Sequence, residues 1–106
     1  MKLLFKTPDA DSLKSAIIKM IEDQDLKTWS ITTSENIKYL KHTQQWSDKG
    51  VIKLTADNVK GHLTAEVLKF QNVTEDVKDF EGYYLGRFCE IIFVNFQGKF
   101  TSIEKG

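Results

Sequence analysis

The chain has 106 residues, with 15 basic and 15 acidic side chains that cancel, and a hydrophobic content of 41 %. That length suits one domain, residues 1–106, with a core that needs no metal or disulfide staple. The balanced charge disfavours nucleic acid as a partner, because duplex binding draws most of its affinity from a basic surface.

One cysteine, Cys89, has no second thiol to pair with. No apolar run approaches the roughly 20 residues of a membrane span. No signal-peptide pattern follows Met1, so a cytoplasmic protein away from membranes is expected.

Met1 to Lys6 alternates as a short strand, with Leu3 and Phe5 sharing one side. Thr7, Pro8 and Asp9 form a helix start: Thr7 can cap, Pro8 suits the first helical position, and Asp9 and Asp11 suit the positive end. Leu13, Ile17, Met20 and Ile21 make one apolar stripe, which predicts a helix from residue 8 or 9 to about 23. Its single apolar face calls for a sheet beneath it.

Trp29 and Ile31 alternate with polar neighbours, Ser34-Glu35-Asn36 reads as a turn, and Ile37 to Leu40 opens the next strand. Residues 41–50 are polar apart from Trp46 and read as a loop or a frayed strand end. Val51 to Ala56 and His62 to Phe70 then form a hairpin around Asp57-Asn58-Val59-Lys60-Gly61.

Residues 71–86 fit either an ordered loop or one or two helical turns, since Val77, Phe80 and Tyr84 have helical spacing but Gly82 and Gly86 interrupt it. The run Arg87 to Phe96 is rich in β-branched and aromatic residues and reads as a strand. Gln97-Gly98 would turn it into a second strand over 99–104. On that reading Phe88, Ile92, Val94 and Phe96 share one side and Cys89, Ile91 and Phe93 the other, so the strand is apolar on both faces.

The expected fold is therefore α+β: one N-terminal helix on a strongly curved antiparallel sheet of about six or seven strands.

Candidate sites follow from residue types on these elements. Tyr83 and Tyr84 lie between Gly82 and Gly86, Arg87 follows directly, and all three carry side chains common at protein contacts. Trp46 is an aromatic anchor in a polar stretch. His62 and Glu66 share one face of a strand, and Glu90 interrupts an apolar run, where a buried carboxylate would need pairing. No spacing matches a metal site, a phosphate loop or a catalytic set, so no catalytic residue, metal or cofactor is assigned.

These features lead to a noncatalytic protein-binding chain, adaptor- or inhibitor-like, contacting a protein partner or itself as a homodimer. The extra apolar face of the 88–96 segment would supply the contact. The alternative is a small ligand-binding domain or enzyme with a polar site between sheet and helix, built from His62, Glu66 and Glu90.

Overall fold

Alternating patterns build five of the strands where the sequence places them, and the computed structural model places the sixth within and just past the expected 99–104 strand. It describes residues 1–26, 28–43, 48–70 and 80–106. The strands are β1 (Lys2–Lys6), β2 (Trp29–Ser34), β3 (Ile37–His42), β4 (Gly50–Asp57), β5 (His62–Lys69) and β6 (Ser102–Lys105). Two helices, α1 (Ala10–Glu22) and α2 (Phe80–Asn95), complete the elements among the described residues.

The strands make one antiparallel sheet in the order β2-β3-β4-β5-β1-β6. β1 is thus inserted between β5 and β6, and α1 crosses from it to the far edge at β2. The β2–β3 hairpin closes through Glu35 and Asn36, both at positive φ (52° and 67°), as a two-residue turn that matches the twist of its strands.

Register sorts the side chains. Phe5 opposes Leu63, Ala65 opposes Leu54, and Val67 opposes Ile52, which in turn opposes Leu40. All are buried on the face that carries both helices. From α1 come Ala10, Leu13, Ile17 and Ile21; from α2 come Phe80, Tyr84, Leu85, Phe88 and Ile92. Phe88 meets Phe5 edge-on at 5.7 Å between ring centroids, and Trp29 lies between Tyr84 at 5.7 Å and Phe88 at 6.2 Å.

This corrects the expected fold. Among the described residues there are two helices, and the six-stranded sheet is not strongly curved. The segment expected as a doubly buried strand over 87–96 is the body of α2. Gly82 and Gly86 do not break it. Two helical glycines cost about 2 kcal/mol relative to alanine, whereas burying Phe80, Tyr84, Leu85, Phe88 and Ile92 returns on the order of 10 kcal/mol at roughly 2 kcal/mol each. Tertiary burial wins over local propensity. The last strand accordingly pairs with β1, not with the 88–96 segment.

The start of α1 is also corrected. Asp9, not Thr7, is the cap, accepting from the Ser12 amide at 3.0 Å. Asn58, in the β4–β5 turn, accepts from the Ala10 and Asp11 amides at 2.8 and 3.2 Å through Oδ1. Thr7 is buried instead, its hydroxyl donating to the Lys99 carbonyl at 2.7 Å.

Candidate functional site

α2 is apolar around most of its circumference, and its length exposes what the sheet cannot cover. Successive residues of a helix advance by 100°, so Gly82, Tyr83, Gly86, Arg87, Glu90, Phe93 and Val94 share the face opposite Tyr84, Phe88 and Ile92. Tyr83 is 59 % exposed, Phe93 49 % and Val94 79 %. Phe93 leans edge-on against Phe100 at 5.6 Å. A β-carbon added at Gly82 or Gly86 would meet nothing within 4 Å, so the two glycines leave a shallow notch beside Tyr83.

Arg87 donates to Glu90 at 2.9 Å across this face, an exposed i,i+3 pair that balances its own charge.

Tyr84 belongs to the core. Its hydroxyl accepts from the His42 amide and donates to the Gly50 carbonyl, both at 2.9 Å, tying β3 and β4 to α2. Burial raises its pKa above the ordinary value, partly offset by the His42 backbone bond.

His62 and Glu66 are half-buried on the sheet face opposite the helices. Glu66 is registered between Lys53 and Lys2, and His62 between Asp57 and Lys6. Glu90 is on the outside of α2, so sheet and helix layers stand between it and Glu66. The structure does not bring these three residues together. Trp46 lies outside the described residues, as do positions 71–79 of the segment for which loop and helical turns were both open; 80–86 is helical.

Cys89 is half-buried on α2, and burial pushes its thiol pKa up, which keeps the thiolate scarce. Among the described residues no three His, Cys, Asp or Glu side chains are placed to hold a metal ion, and no helix is long and apolar enough to cross a membrane.

Open grooves among the described residues include two of note. One of about 730 Å³ runs between the end of α1 and β2, and one of about 410 Å³ runs between Thr7-Pro8 and Phe96. Neither is lined by His62, Glu66 or Glu90.

Sequence reasoning missed the exposure of Phe93 and Val94, because it hid both in a strand. The signal was present in the four-residue spacing of Phe80, Tyr84, Phe88, Ile92 and Phe96. Comparison of the chain with protein families, with curated proteins and with solved structures finds no match.

Proposed function

We propose that this chain is a noncatalytic, cytoplasmic protein-binding protein that docks a partner protein, or a second copy of itself, on the outer face of α2. The observation that supports the reading is the grouping of Tyr83, Phe93 and Val94, all exposed, on one face of one helix. Isolated apolar residues on a surface are ordinary, but two aromatic rings and a valine exposed on one helix face, together with Arg87, match the aromatic and arginine enrichment of contact sites.

Gly82 and Gly86 support the same reading. They weaken the helix and leave open space, a combination that serves close approach by another backbone or a bulky side chain.

A photo-cross-linking side chain placed at Val94, in cells that make the protein, tests it. A discrete adduct, to one protein or to a second copy, is expected there and not at Val59, which is 98 % exposed in the β4–β5 turn. Sedimentation velocity separates the two kinds of adduct. No adduct at Val94, or the same adducts from both positions, would refute the reading.

A further inference from the structure

A separate feature lies at the opposite edge of the sheet. We propose that β2 and the groove beside it take up an extended peptide strand from a partner protein, as a seventh strand of the sheet.

The backbone register sets which groups are available. A two-residue hairpin turn makes Ser34 and Ile37 a hydrogen-bonded pair, and pairs alternate from there back along the ladder. Thr32–Tyr39 and Ser30–Lys41 are therefore bonded, and the Thr43 amide donating to the Thr28 carbonyl at 2.9 Å continues the same parity. Trp29, Ile31 and Thr33 consequently direct their amides and carbonyls away from β3. The Trp29 amide bonds back to the Leu26 carbonyl at 3.1 Å. The amide and carbonyl groups of Ile31 and Thr33 face outward, and among the described residues β2 pairs with β3 alone.

The two sheet edges differ in how they are protected. β6 is four residues long and carries Glu104 and Lys105, charges that discourage pairing. β2 is Trp-Ser-Ile-Thr-Thr-Ser, six residues without a charge or a proline. Beside it, Ile21, Glu22 and Leu26 on one side and Trp29, Ile31 and Thr33 on the other line the 730 Å³ groove. An added strand would hydrogen-bond to Ile31 and Thr33 and turn every second side chain into that groove.

The occupant is a peptide and not a second copy. β2 paired with itself would cover a strip about 20 Å long and about 10 Å wide on each chain. That falls short of the roughly 600 Å² per partner that a stable dimer needs. Its groove-facing side chains would be Ile31 and Thr33 again, too small for the volume available. A peptide held by main-chain hydrogen bonds needs no such area, and bulky side chains at alternate positions would fill the groove, their apolar parts against Ile21, Leu26 and Ile31 and their outer ends beside Glu22 and Gln24. The intervening positions, beside Ser30 and Thr32, would be polar.

The probe is a set of fluorescein-labelled octapeptides in which Leu, Ile, Phe or Trp alternates with Ser, Thr or Lys. Anisotropy would identify binders, and amide hydrogen exchange by NMR would locate them. Slowed exchange at the Ile31 and Thr33 amides is expected. Thr33→Pro removes one outward donor without touching the β3 ladder, and should weaken binding about tenfold or more. Thr33→Lys blunts the same edge and serves if the proline variant is unstable. No binding at millimolar peptide, binding that survives both variants, or protection confined to other amides would overturn the proposal. So would a dimer that either variant abolishes, which would make a second copy the occupant. None of these outcomes bears on the outer face of α2.

Discussion

Replacing Tyr84 with phenylalanine removes a single oxygen and keeps the ring in its place between Trp29 and Phe80. That oxygen accepts from the buried His42 amide and donates to the Gly50 carbonyl, both at 2.9 Å. The variant leaves one donor and one acceptor without this partner inside the protein, at about 1–3 kcal/mol each. A loss of about 3 kcal/mol is expected. For a domain of this length that lowers Tm on the order of 10–20 °C.

Urea and thermal denaturation followed by far-UV circular dichroism measure the change. The same variant carries a pH signature. Because burial raises the folded pKa of Tyr84 above 10.0, the folded state holds the proton longer than the unfolded state. The resulting stability is fully present below pH 10 and is lost as pH rises from there through the folded value. Tyr84→Phe lacks that alkaline decline, so the gap between the two proteins narrows above pH 10. A stability loss under about 0.5 kcal/mol, or a parallel alkaline limb in both proteins, would refute the bridging role.

Asn58→Ala removes the acceptor for the Ala10 and Asp11 amides and should cost about 1–2 kcal/mol in urea denaturation, as loss of a helix cap does. Gly50→Ala should be more severe, about 3 kcal/mol or more, because the new β-carbon would collide with the Leu68 carbonyl oxygen, a backbone atom that cannot swing aside. Gly82→Ala and Gly86→Ala should do the opposite, each raising stability by about 1 kcal/mol in the isolated chain, since both sites are open and helical.

Much of the sheet was legible because one face is buried and the other is not. Phe5, Leu63, Ala65, Ile52 and Leu54 carry the period of two that such burial imposes, and Glu35-Asn36 carries the turn chemistry. The stripe Leu13, Ile17 and Ile21 marked α1 for the same reason.

α2 was illegible because it is apolar on both sides. With Ile91, Phe93 and Val94 filling the positions between Phe88, Ile92 and Phe96, neither period stands out, and β-rich composition with two glycines favoured a strand. Its true period is set by what it packs on, Phe5 and Trp29, and those contacts are remote in sequence. The helix cap was misplaced for a similar reason, since Asn58 reaches Ala10 from 48 residues away. Of the candidate residues, Tyr83, Arg87 and Glu90 fall together on the outer helix face, Tyr84 lies beneath them in the core, and His62 and Glu66 sit on the far side of the sheet.

Val94→Lys gives the most direct test of the outer face of α2 as the docking surface. Val94 is exposed near a helix end whose last turn holds no basic residue, so a lysine there opposes the negative end of the helix dipole. Stability of the isolated chain should hold or rise by about 0.3–1 kcal/mol, while the adduct formed by a photo-cross-linking residue at Phe93 disappears. An adduct of undiminished yield in a stably folded Val94→Lys protein would contradict the assignment.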